Sequence, residues 1–262
     1  MSIDHHDFQD ARSSLHTRVP GAHSGLTVLG TERGCGKTVL MTGLVGLMRQ
    51  QHLAVRAVKP IAFGPRDRCN SENNFISSVT ATPANFPHVF AASARHLNPG
   101  NWSQALSVSL HESGFTAVEL PESCASPLMF ERTEVGTIAH KWRDCSDFAL
   151  ELGFAVVLVA RHNEFALEKI IMAVEHIQRK GLTVAGAITC ETKMGEGRDL
   201  EATYQRNDLD RLIRSAVGVP YLGCVKFSPS ISVVRVNQGN LIRLVNEGVS
   251  LAPISQATGL TL

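Results

Sequence analysis

The segment Gly30-Thr31-Glu32-Arg33-Gly34-Cys35-Gly36-Lys37-Thr38 lies between a short apolar run, Leu26–Leu29, and a helix-like run from Val39 to Met48. Strand, glycine-bearing turn, Gly-Lys-Thr and helix together form the context of a phosphate-binding loop. Glycines let the backbone aim its N–H groups inward, and the helix N-terminus adds partial positive charge where a polyphosphate would sit. The spacing assigns Thr31, Gly34, Cys35, Gly36, Lys37, Thr38 and Val39 to a nucleoside triphosphate. Lys37 reaches the outer phosphates, and the Thr38 hydroxyl ligates the accompanying Mg²⁺.

The rest of the chain frames that loop as an α/β fold. Apolar, β-rich runs recur at Leu26–Leu29, Val55–Pro60, Phe115–Leu120, Phe154–Ala160, Val184–Cys190 and Pro220–Val225. Continuous runs such as Ala155-Val156-Val157-Leu158-Val159 suit strands buried on both faces of a parallel sheet. Between them, helical periodicity is clearest over Glu164–Lys180, with Gly181 as its stop, and weaker over Asp208–Val217 and Asp144–Gly153. The alternation predicts a doubly wound, mostly parallel sheet with helices on both faces, and ligands at the carboxyl ends of its strands. Residues 64–114 are predicted to hold loops and one or two helices.

Composition narrows the setting. The 262 residues carry 25 Lys+Arg against 24 Asp+Glu, so no general basic footprint for nucleic acid exists. No apolar run reaches the roughly 20 residues that span a bilayer, which predicts no membrane partner. The six cysteines are scattered without a Cys-x-x-Cys pair, which suits a reducing, cytoplasmic setting. Residues 1–24 are polar and rich in histidine (His5, His6, His16, His23) and are predicted to be a loosely ordered arm before a single P-loop domain over 25–262.

The loop departs from the common spacing, which would place a glycine at Thr31. Its Gly30-Thr31-x5-Lys37-Thr38 form, together with Lys59-Pro60-Ile61-Ala62-Phe63-Gly64, resembles the dethiobiotin synthetases, and the likeness runs from about Leu26 to Val225. The resemblance implies an ATP- and Mg²⁺-dependent cyclo-ligase that closes a ureido ring from 7,8-diaminopelargonate and CO₂. It also implies a homodimer. Lys37 and Lys59 become the catalytic pair; a lysine at a strand end facing the loop can neutralise a transferring phosphoryl group. Glu72, in Asn70-Ser71-Glu72, corresponds to the family's metal-holding aspartate, with a plain surface glutamate in a polar loop as the alternative. For the second metal carboxylate, strand-end placement selects Glu122 over Glu119, because Glu119 would precede two further strand residues. A three-residue shift to Glu119 stays open.

Several positions differ from the family pattern. Glu32-Arg33 replace Asp-Thr, Phe63 stands where a substrate-contacting serine is usual, and Ser123-Cys124-Ala125-Ser126 replace a glycine-rich metal loop. Cys190 occupies the position of an adenine-reading Asn, ahead of the late strand Pro220-Tyr221-Leu222-Gly223. Asn163 is suited to cap the helix that follows it. These departures keep open an alternative: a nucleotide-binding P-loop protein with a regulatory or assembly role and no ligase activity. A partition-type switch ATPase is a third reading; its signature lysine would fall at Glu32, beside Arg33.

Overall fold

The computed structural model describes residues 24–80, 89–90, 96–110, 114–132 and 138–260. The polar arm expected over 1–24, with its histidines, lies outside them except for Ser24, which already belongs to the first strand.

In chain order the elements are β1 (Ser24–Gly30), α1 (Lys37–Gln50), β2 (Val55–Val58), β3 (Ile61–Ala62), α2 (Arg66–Thr80), β4 (Val89–Phe90), α3 (Pro99–Ser109), β5 (Phe115–Glu119), β6 (Pro127–Arg132) and β7 (Ile138–Asp144). They continue with α4 (Cys145–Leu152), β8 (Ala155–Arg161), α5 (Ala166–Arg179), β9 (Val184–Cys190), α6 (Arg198–Thr203), α7 (Arg206–Val217), β10 (Tyr221–Val225), α8 (Leu241–Gly248) and α9 (Ala252–Thr258). Six strands form one parallel sheet in the order β10-β9-β8-β1-β5-β2. The doubly wound sheet read from the alternation is therefore present: β2 and β5 are added on one side of β1, and β8, β9 and β10 on the other.

Both faces of the sheet are covered, which is why its strands read as unbroken apolar runs. On one face Val156, Leu158 and Ala160 of β8 pack with Phe148 of α4, Ile170 and Val174 of α5, and Ile213 of α7. On the other, Ala155, Val157 and Val159 pack with Leu40, Leu44 and Met48 of α1, Phe75 of α2, and Val245 of α8. The period-two alternation along β8 divides its side chains between these two cores. Local signals set the helix ends. Asp144 caps α4 by accepting from Asp147 N at 2.9 Å, and Gly153 stops it in the left-handed region at φ 67°.

Some expectations need correction. β5 ends at Glu119, one residue before the apolar run does: Leu120 N–H still makes the last ladder bond, to the Val28 carbonyl at 3.2 Å, and the next acceptor on β1, the Gly30 carbonyl, goes to Cys124 N at 2.8 Å. Glu72 lies in α2, not in a polar loop. Asn163 does not cap α5 directly; its Oδ1 accepts from Phe165 N at 3.2 Å, one turn ahead of the helix. The antiparallel β6–β7 pair and the helices α8 and α9 were not legible in the sequence. Of the poorly readable stretch, α2 and α3 are its described helices, while 81–88, 91–95 and 111–113 lie outside the described residues.

Candidate nucleotide-binding and catalytic site

The loop after β1 is shaped by two glycines. Gly36 precedes α1 at φ 99°, and a Cβ there would lie 2.5 Å from the Cys190 Cβ, so both conformation and space demand glycine. A Cβ on Gly30 would lie 2.7 Å from the Lys37 ammonium, so this glycine lets the lysine fold back over the strand end. Lys37, only 5% exposed, donates to the Glu122 carbonyl at 2.5 Å and to the Glu32 carbonyl at 3.1 Å. Glu122 itself sits in the left-handed region at φ 51°, a strained setting for a non-glycine residue of the kind found at functional sites.

Beside the loop, β5 and β2 bring charge together. The Thr38 hydroxyl donates to Glu119 Oε1 at 2.9 Å, and the Lys59 ammonium lies 2.7 Å from the same oxygen. Lys59 also reaches Glu72 at 2.6 Å, and Glu72 meets Arg68 at 3.2 Å. Burial opposes the charge on Lys59, but the carboxylates of Glu119 and Glu72 override it and raise the lysine's proton affinity. For Glu72, burial acts upward, yet Lys59 and Arg68 together hold the carboxyl below its ordinary range.

Glu119 is 2% exposed, and its second oxygen, Oε2, has no hydrogen-bond partner among the described residues. A buried orphan carboxylate oxygen beside a threonine hydroxyl fits a divalent cation with oxygen ligands. The carboxylate paired with Thr38 is therefore Glu119, whereas the Glu122 side chain turns to Arg33 at 3.7 Å. The strand ends at Glu119, one residue before its apolar run does, so the strand-end acid is Glu119 and Glu122 lies in the turn beyond it.

These groups open into a cavity of about 700 Å³ whose lining includes Gly34, Gly36, Lys37, Thr38, Val39 and Cys190. Lys59, Glu72, Glu119 and Glu122 line it too, as does Phe63. Thr31 and Cys35 do not line it: Thr31 N donates to the Val159 carbonyl at 2.9 Å, and Cys35 buries its thiol 3.3 Å from that carbonyl. Cys190 is buried against Gly36, and burial pushes its thiol well above the ordinary range. It enters the wall as a neutral, weakly polar group.

Sequence reasoning missed the far wall, where Glu191, Lys226 and Phe227 follow β9 and β10. The signal was their position just past two strands already recognised, where such folds hold ligands.

Residues 24–235 match the model of a family described as AAA domain. An ATP-dependent dethiobiotin synthetase of Haloferax mediterranei is 29% identical over 172 residues, covering 62% of this chain and 69% of that protein. Its counterpart in Chromohalobacter salexigens is 27% identical over 216 residues, covering 76% of this chain and 87% of that protein. Among solved structures, the septum site-determining protein MinD from Pyrococcus horikoshii, complexed with Mg-ADP, superposes with a TM-score of 0.50 at 15% identity. That match covers 88% of this chain and 98% of MinD and speaks for the fold alone.

Proposed function

The chain belongs to the AAA domain family as a divergent, dethiobiotin synthetase-like P-loop protein, and on that premise we propose that it is an ATP- and Mg²⁺-dependent cyclo-ligase. Its substrate would be a 7,8-diaminopelargonate-like diamine that closes into a ureido ring with CO₂. The observation that carries this reading is the convergence of Lys37, Thr38, Lys59 and Glu119 in the lining of one cavity. Bound Mg-ATP would supply the γ-phosphoryl group that activates the carbamate formed from one amine and CO₂, with phosphate leaving as the second amine closes the ring.

The chain's own residues supply position and charge. Thr38 and Glu119 would hold the metal, with Glu72 behind Lys59 and Glu122 at the loop. Lys37 exchanges the Glu32 and Glu122 carbonyls for phosphate oxygens. Lys59, anchored by two carboxylates, keeps its charge at neutral pH and would neutralise the transferring group. Residues 25–262 are taken as one P-loop domain, a homodimer is the expected assembly, and the cytoplasm the expected compartment. No helix among the described residues is long and apolar enough to cross a membrane.

Incubation with ATP, Mg²⁺, bicarbonate and 7,8-diaminopelargonate tests the reading: dethiobiotin should form. Phe63, on the cavity wall where the family has a substrate-contacting serine, favours a second reading, a nucleotide-binding regulator without ligase activity. Tight ATP binding with no dethiobiotin would select it.

A further inference from the structure

A second cluster, which the proposed reaction does not use, lies past the ends of β8, β9 and β10. His162 follows β8 and is 3% exposed; Glu191 follows β9; Glu201 lies on α6. One ligating atom from each lies within 4.8 Å of the others. We propose that His162, Glu191 and Glu201 form a site for a transition-metal dication of the Zn²⁺ class, built from residues other than those assigned to magnesium.

The imidazole is held as a ligating histidine is held. Its Nδ1 lies 2.8 Å from the Thr189 hydroxyl, which is itself 2.6 Å from the Tyr221 hydroxyl, and Thr189 and Tyr221 are both buried. Nε2 lies 3.1 Å from Glu201 Oε1, which can only accept, so without an ion Nε2–H donates to it. In the tautomer a metal requires, Nδ1–H donates to Thr189, Tyr221 donates to the same oxygen, and the Nε2 lone pair faces the ion. A neutral imidazole fixed through one nitrogen, with the other free toward a metal, is the usual outer-shell arrangement.

The backbone packs closely against the cluster. A Cβ on Gly197 would lie 2.7 Å from His162 Nε2 and 3.1 Å from Glu191 Oε1, so glycine lets the main chain lie directly against the ligating atoms. A cation already balances the carboxylates: the Lys226 ammonium contacts Glu201 and lies 3.3 Å from Glu191 Oε1. That side chain is 46% exposed on a flexible stem and can swing into solvent. One imidazole nitrogen with two carboxylates suits zinc, whereas magnesium selects oxygen alone. Three protein ligands leave one position open, and Glu191 and Lys226 put it at the wall of the main cavity.

Calorimetric titration of the full chain with Zn²⁺ in excess Mg²⁺ tests the site. Wild type should bind one zinc at this site, and Glu201→Gln and His162→Ala should each weaken that binding at least about tenfold. Glu201 is exposed, so its variant keeps the test valid even if the His162 variant folds poorly. Lys226→Met removes the competing ammonium and should tighten binding, and Lys37→Ala should leave it unchanged. No zinc bound by wild type, or equal affinity in wild type and Glu201→Gln, overturns the proposal. So does a loss in Lys37→Ala, which would move the zinc to the phosphate loop.

Discussion

Thr38 Oγ1 donates to Glu119 Oε1 at 2.9 Å, joining the first turn of α1 to the last residue of β5 across 81 positions of sequence. The second oxygen of the same carboxylate is buried without a hydrogen-bond partner among the described residues. A hydroxyl and an orphan carboxylate oxygen, both beside the phosphate-binding loop, make this pair the nucleus of the candidate metal position.

Replacing Lys37 with Ala removes a charge-assisted phosphate contact worth about 1.5–3 kcal/mol. ATP affinity, read by calorimetry, should fall at least about tenfold. Unchanged affinity would sink the phosphate-loop assignment.

Glu119→Gln should reduce Mg²⁺-dependent nucleotide binding and turnover more than Glu122→Gln does, because the Glu122 side chain faces Arg33 and not Thr38. Measuring both variants over a Mg²⁺ titration decides it. A larger effect at Glu122 would hand the metal role to that residue.

Acid stability should depend on Glu72. Its carboxyl is held below the ordinary value of 4.5, with burial outweighed by Lys59 and Arg68. The unfolded chain therefore takes up the proton first, and the contribution of Glu72 is present above pH 4.5 and lost as pH falls below it. Urea midpoints measured down through this range should fall more steeply for wild type than for Glu72→Gln. Parallel slopes would show that the carboxyl titrates alike in both states.

Base discrimination should be weak. Cys190 offers only a weak donor and a weak acceptor where an amide could pair with a purine edge in both directions. Affinity should follow the triphosphate and Mg²⁺, with ATP, GTP and CTP competing on similar terms. A preference for ATP above about a hundredfold, roughly 2.7 kcal/mol, would assign base reading to other groups on the cavity wall.

Local physics made much of this protein legible from its residues. The conformational demand at Gly36, the strand–loop–helix context of Lys37 and Thr38, and the apolar runs of a sheet buried on both faces are all properties of neighbouring residues. What they could not determine was which charges meet. Lys59 and Glu119 pair across 60 positions, and Lys37 reaches the Glu122 carbonyl across 85. The end of β5 is set by where its ladder to β1 stops, with the Gly30 carbonyl accepting from Cys124 N, and that end places Glu119 rather than Glu122 beside Thr38. His162, Glu191 and Glu201 likewise meet only because β8 and β9 are parallel neighbours and α6 folds back over their ends. Periodicity and turn chemistry act over a few residues, whereas ion pairing and ligand geometry depend on strand order and register, which exist only in the folded chain.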